Sequence, residues 1–189
     1  MINPFLIGRY IYLRPLQLED SDFIARGENN PKVRETLFLF LPNYPALTKE
    51  KISQQINSRE TIIFTIVEKA SDIPVGQTAF FRIDWVSRAA IFYLAILDPA
   101  FWGKGYGTET TQLMVDYAFE TLNLNRIQLH VFADNVAAIK IYQKVGFIKE
   151  GVLRQAMFHH DHYCDFWVMG ILKNDWLQNK NKSSEVQGL

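Results

Sequence analysis

The chain has a single cysteine, no net charge and no long apolar run, and each absence closes a class of function. Cys164 alone can neither form an intrachain disulfide nor supply a multi-thiolate metal site, which suits a reducing cytoplasm. With 20 Lys and Arg against 20 Asp and Glu, the broad basic field of a dedicated nucleic-acid binder is missing. No stretch approaches the roughly 20 apolar residues of a membrane span. The opening MINPFLIGRYIYLRP lacks a cationic n-region and a long apolar h-region. The expectation is a soluble, unexported, cytoplasmic protein that partners neither nucleic acid nor membrane.

The glycine-rich stretch WGKGYGTE, residues 102–109, is defined first by what it is not. It lacks the Gly-Lys-Ser/Thr ending of a Walker A loop. Counted from Gly103 or Gly105, the sixth position is Thr108 or Thr110, so the G-x-G-x-x-G dinucleotide fingerprint fails as well. General physics remains: glycines let the backbone approach a ligand, and a following helix N-terminus adds positive potential, a combination that suits a pyrophosphate. A plain strand-to-helix connection would look the same in sequence.

What is present is apolar: 48% of the 189 residues are hydrophobic and 14% aromatic, enough for one good core. We read one α/β domain over residues 1–177 and a polar tail over 178–189 with little to bury, expected to be mobile. Residues 10–16 read as a strand and 19–28 as a helix. NNP (29–31) breaks the pattern, and 38–48 is an apolar, proline-broken loop of the kind that walls a pocket. Residues 47–57 read as helical. Residues 61–69 and 75–83 form a hairpin, and 89–97, nearly all apolar, fits a central strand covered on both faces. Leu113, Met114, Tyr117, Ala118 and Leu122 recur at helical spacing, which places a helix start near Thr108. A strand at 126–133 precedes a second amphipathic helix carrying Ala138, Ile141, Tyr142 and Val145, with Asp134-Asn135 placed to cap its start and Gly146 its end. Residues 147–158 and 163–172 read as two strands joined at HHDH. No internal repeat is visible.

WGKGYGTE, followed after a helix and a strand by DNVAAIKIYQKVGFIKEG, closely resembles the GNAT superfamily of acyl-CoA-dependent N-acetyltransferases. Gly105 and Gly107 match the two small-residue positions of that family's Q/R-x-x-G-x-G/A loop, with Trp102 standing where Gln or Arg is common. Asn135, Ala138, Tyr142, Lys144, Gly146 and Phe147 match its N-x-x-A-x-x-x-Y-x-K-x-G-F signature. The similarity extends from Gly8 to about Leu172 and points to the branch with ribosomal-protein-alanine N-acetyltransferases and spermidine acetyltransferases.

The resemblance implies a mixed, strongly twisted sheet of six to seven strands, helices on both faces, and a V-shaped opening between the fourth and fifth strands, 89–97 and 126–133. It implies acetyl-CoA as co-substrate, with pantetheine along the backbone of Ala95, Ile96 and Leu97 and pyrophosphate over Gly103, Lys104, Gly105, Tyr106, Gly107 and Thr108. A primary amine would attack the acetyl carbonyl directly, pass through a tetrahedral intermediate and expel the thiolate, so no cysteine nucleophile is needed. Tyr142 is the implied acid, although it also lies on the apolar stripe of its helix, where most tyrosines are packing residues. Asn135 is implied to touch the CoA arm besides capping its helix. Dimers are common in the family, so a homodimer is the implied assembly.

His130, on the fifth strand where similar enzymes carry a glutamate, is the candidate base, an imidazole being able to take a proton near neutrality. Asp84 and Glu35 are other carboxylates able to face the amine, and Asp165 could shape the acceptor pocket. HHDHYC, 159–164, gathers three His, one Asp and one Cys, but adjacent strand residues point to opposite faces, so no metal is expected there. The branch resemblance ranks a protein or peptide N-terminal α-amine first as acceptor and a polyamine or other small amine second, and the aromatic loop at 38–45, with no acidic run, suits an acceptor less cationic than spermidine. A catalytically silent acyl-CoA-binding module and a doubly wound nucleotide enzyme stay open as rivals.

Overall fold

The computed structural model describes residues 4–37 and 39–187, with side chains to residue 181. Eight strands form one sheet: β1 (Leu6–Ile7), β2 (Ile11–Pro15), β3 (Ile62–Glu68), β4 (Ile73–Asp84), β5 (Ala89–Ile96), β6 (Arg126–Phe132), β7 (Ile148–His159) and β8 (His162–Leu172), in the order β1-β2-β3-β4-β5-β6-β8-β7. The extra strand beyond the expected six or seven is the two-residue β1, too short to leave a periodic signal. Only β5 and β6 run parallel; the other neighbours are antiparallel. A doubly wound, all-parallel enzyme is thereby excluded. The helices are α1 (Ser21–Asn29), α2 (Pro31–Leu37), α3 (Pro45–Ile56), α4 (Tyr106–Asp116), α5 (Val136–Val145) and α6 (Lys173–Gln187). Among the described residues, no helix is long and apolar enough to cross a membrane.

The all-apolar run of β5 has the cause read from sequence. Ala90 and Phe92 belong to a core shared with Met114, Ile139 and Tyr142 of α4 and α5. Ala95 belongs to a second core, with Tyr93 packed against it, shared with Ile24 of α1, Val33 of α2 and Ile52 of α3. Strand alternation sends successive side chains to opposite faces, so a strand roofed on both sides must be apolar throughout.

Helix starts show where local chemistry was legible. Asn135 caps α5, its Oδ1 accepting from the Ala138 N–H at 3.1 Å, and Gly146 ends the helix at φ 110°. Helix α4 begins at Tyr106, slightly ahead of the expected Thr108, because Gly105 takes φ 86° and turns the chain into the helix. The break at 29–31 proves to be a junction between two helices: Pro31 opens α2, and Asn30 Oδ1 accepts from the Lys32 N–H at 3.0 Å. Helix α3 starts at Pro45, which shortens the expected loop; Phe38 lies outside the described residues. Helix α6 runs on into the polar tail, anchored by buried Trp176, whose Nε1 donates to Asp116 Oδ1 at 2.7 Å; residues 188–189 lie outside the described residues.

A buried polar network ties the sheet to α1. Arg14 on β2 grips Asp20 with two hydrogen bonds, of 2.8 and 2.6 Å. The Thr65 hydroxyl on β3 and the Gln17 N–H also donate to Asp20, at 2.7 and 3.0 Å. Burial acts to raise the Asp20 carboxyl, but the donors from Arg14, Thr65 and Gln17 prevail and hold it below the usual range.

Candidate active site

Strands β5 and β6 pair only over Ala89↔Arg126, Ala90↔Ile127 and Ile91↔Gln128. Beyond that point β5 stays on β4 as far as Ile96↔Gly76, while β6 follows β8 as far as Phe132↔Phe166. Each strand keeps its outer partner and loses its inner one, so the sheet opens and the facing edges no longer share ladder hydrogen bonds. This is the V-shaped opening expected between 89–97 and 126–133. A cavity of about 610 Å³ fills it, within the range of small-ligand sites.

Its walls bring together most of the residues singled out from sequence: Ala95 and Ile96; Gly103, Gly105, Gly107 and Thr108; and Asn135, His130 and Tyr142. A Cβ at Gly103 or Gly105 would meet nothing within 4 Å, so these two positions border open space. At Gly107 a Cβ would come within 3.0 Å of Ile141 Cδ1, so there glycine keeps α4 close to α5. The first N–H groups of α4 lie at this loop, with no intrahelical acceptor and the positive end of the helix dipole behind them.

Leu97, Lys104 and Tyr106 do not line the cavity. The Leu97 N–H donates to Val75 O at 2.9 Å, and its side chain is buried in the α1–α3 core. Lys104 lies with its Nζ 4.5 Å from the Phe101 ring centre and 3.9 Å from Glu68. The Tyr106 hydroxyl donates to Glu68, and that bond, with burial, pushes the phenol up to about 12. Strand direction also decides which backbone groups of this segment reach the gap. Ala95 O lies 2.2 Å from where a Cβ on Gly76 would sit, and Tyr93 O accepts from the Thr78 hydroxyl, so both carbonyls face β4. Backbone groups of successive strand residues point to opposite edges. Leu94 and Ile96 therefore present theirs to the gap, and Ile96 O already accepts from Trp102 Nε1 at 3.0 Å. Leu94 was missed because sequence does not tell which of two adjacent residues faces which edge.

Tyr142 sits on α5 with 8% of its surface exposed, edge-on to Phe92 and tilted against Phe147. Among the described residues its hydroxyl makes no hydrogen bond, and burial alone raises the phenol above its ordinary value. Packing and cavity lining thus coincide in one side chain. His130 is exposed on β6, with Nε2 3.1 Å from Gln128 Nε2. An amide nitrogen only donates, so with Gln128 in this orientation His130 Nε2 is the accepting atom.

The other carboxylates are placed elsewhere. Asp84 Oδ1 accepts from the Val86 and Ser87 N–H groups, both at 2.9 Å, and so caps the β4–β5 turn. Asp165 accepts from the Gln155 N–H at 2.8 Å, beside the irregular register of β7. Glu35 meets His159 and His160. One carboxylate had no sequence signal: Glu28 on α1 is raised by burial, against the opposing effects of Asn43, Lys51 and Gln77. Gln77 lies 3.4 Å from Glu28 and also hydrogen-bonds Tyr93, which lines the cavity.

The acetyltransferase (GNAT) domain family matches residues 11–148. YoaA of Bacillus subtilis, an uncharacterised N-acetyltransferase, is 42% identical over 180 residues, covering 90% of this chain and 97% of the relative. A spermidine N(1)-acetyltransferase of Escherichia coli is 31% identical over 172 residues, 88% of each protein. The crystal structure of spermidine N-acetyltransferase from Vibrio cholerae in complex with CoA and spermine is similar with a TM-score of 0.82 at 28% identity, covering 89% of this chain and 98% of that one.

Proposed function

The chain belongs to the GNAT acetyltransferase family and is an N-acetyltransferase; from that premise we propose that it moves the acetyl group of acetyl-CoA to a primary amine, with a polyamine as the acceptor class. The observation that carries the acetyl transfer is one cavity, in the gap between β5 and β6, that holds both the Tyr142 side chain and the glycine loop. In this reading the pyrophosphate rests on the loop and the first turn of α4, and the pantetheine arm follows the Leu94–Ile96 edge. Tyr142 meets the departing thiolate, and His130 takes the proton released by the amine.

A buried phenol is a weak acid, and that matters for its role. Full transfer would strand a phenolate among Phe92, Phe147 and the cavity walls, an environment that already disfavours it. The same walls disfavour a thiolate, so the proton affinity of the leaving group rises along with that of the donor.

The acceptor assignment rests on the relatives, of which one is named for spermidine and another was solved with spermine. That reverses the order reached from the sequence resemblance and the loop at 38–45. The second reading, a peptide α-amine, is favoured by the lining itself: Thr36, Leu37, His130, Met157 and Phe166 are there, and no carboxylate is among the described lining residues. Assaying CoA release with spermidine, spermine and N-terminal peptides decides between them. Saturable turnover with spermidine is expected, and turnover confined to peptides would replace the polyamine with the second reading. Acetyl-CoA binding without release for any amine would favour the silent module.

Gly105→Asp tests the cofactor half alone. Asp is among the residues that tolerate left-handed backbone, and a carboxylate at a helix N-terminus is otherwise favourable, so the variant should fold. Its charge would then face the phosphates. Acetyl-CoA affinity is expected to fall by on the order of tenfold or more, a decade being about 1.4 kcal/mol. Unchanged affinity by calorimetry would remove the loop from the binding site.

A further inference from the structure

Outside the acetyl-transfer residues, one group of side chains converges on a point. Among the described residues, a single cluster of His, Cys, Asp or Glu side chains has the geometry to hold a metal ion: Glu35, His159 and His160, with ligand atoms all within 4.8 Å of one another. His159 Nε2 lies 2.9 Å and His160 Nε2 2.8 Å from Glu35 Oε2, and the two ring centres are 3.9 Å apart. Consecutive strand residues should not achieve this. They do because His159 ends β7 while His160, at φ 44°, begins the two-residue turn to β8, so the side-chain alternation is broken between them.

We propose that Glu35, His159 and His160 bind one divalent cation of the zinc class, joining α2 to the β7–β8 tip beside the substrate cleft. The donor set selects the metal. Two imidazole nitrogens and one carboxylate oxygen suit zinc, cobalt or nickel, whereas magnesium and calcium favour all-oxygen shells. Bonds of about 2.0–2.2 Å require the three donors to draw back slightly around the ion. The Glu35 and His160 side chains, 52% and 65% exposed, have room to do so. Solvent access also leaves the remaining coordination position to water.

The position gives the site a consequence. Glu35 is followed on α2 by Thr36 and Leu37, and His159 is two residues from Met157; those three line the cavity. A bound cation would link two walls contributed by segments 124 residues apart in sequence, restricting how far the cleft opens on this side.

The test uses the full, tag-free, metal-stripped chain titrated with zinc chloride by calorimetry, and with cobalt chloride while the visible ligand-field bands are followed. One equivalent of each is expected to bind. Glu35→Gln, His159→Asn and His160→Asn should each weaken zinc by on the order of tenfold or more, since even residues that only support metal ligands are commonly worth about 10–100-fold. His162→Asn should bind as wild type, because His162 points its Nδ1 to the His160 carbonyl at 2.9 Å and lies outside the cluster. The Asn in His160→Asn tolerates the positive φ, so loss of zinc in that variant, with an unchanged melting temperature in the absence of metal, reports the ligand and not the fold. Absence of saturable zinc binding to wild type, or binding that survives all three substitutions, overturns the site. Neither readout involves acetyl transfer, so its outcome is independent of the acceptor and of catalysis.

Discussion

Tyr142→Phe is expected to lower the turnover rate by about 10²–10⁴-fold, the usual worth of general-acid assistance, with acetyl-CoA affinity little changed. The substitution keeps the ring that packs edge-on against Phe92 and tilted against Phe147, so the contacts within the core persist. What is lost is a hydroxyl that makes no hydrogen bond among the described residues, so its removal strands no buried partner. A purely structural tyrosine would show the opposite pattern: near-normal turnover and, at most, a small change in stability. Single-turnover rates of CoA release, measured with saturating acetyl-CoA and amine, separate the two, because slow product release cannot then hide the chemical step. Equal rates for variant and wild type would return Tyr142 to the core and leave solvent to protonate the thiolate.

Asp20→Asn should be the most damaging of these substitutions for stability. The Asp20 side chain is 5% exposed and the Arg14 side chain 6%, and the variant leaves the guanidinium without its counter-charge. Removing one partner of a buried pair typically costs about 3–5 kcal/mol. At about 2–4 °C per kcal/mol for a chain of this size, the melting temperature should drop by roughly 6–20 °C. The pH dependence has a definite sign. The native Asp20 carboxyl is depressed, so its stabilising contribution is complete above the ordinary carboxylate value of about 3.9 and disappears as pH falls through the lower native value. Wild type and Asp20→Asn should therefore differ most near neutrality and converge in acid. A difference in melting temperature that is small, or that grows as the pH is lowered, would show that the Arg14–Asp20 pair does not hold β2 to the start of α1.

How far sequence reached depended on the range of the interactions involved. The β5 run, the α5 cap at Asn135 and the turn at Gly146 were legible because each follows from a few neighbouring residues: strand alternation, a side-chain oxygen at a helix start, a left-handed position that glycine accepts at no steric cost. The glycine loop was legible as a loop, and its ligand only by resemblance. Convergence of neighbouring side chains at HHDH was discounted by strand alternation, a rule that stops where the turn begins. Glu35 had been noted as a carboxylate that could face the amine, and it instead meets that turn.

By itself, the sequence determined the central strand and the two helices behind the cleft, because these rest on local backbone preferences and on hydrophobic periodicity; the mixed sheet and the signature around Tyr142 were legible only through resemblance to a known family. Tertiary structure alone decided which backbone edge of Leu94 to Leu97 faces the gap, that Leu97, Lys104 and Tyr106 lie off it, and that Arg14, Asp20 and Thr65 share one buried network. It also decided that Glu35 meets His159 and His160 across 124 and 125 residues of chain. The physical reason is common to all of these: hydrogen bonds and ligand geometry act over about 3 Å and depend on direction, and the packing of the whole sheet and its helices sets which distant groups come within that distance.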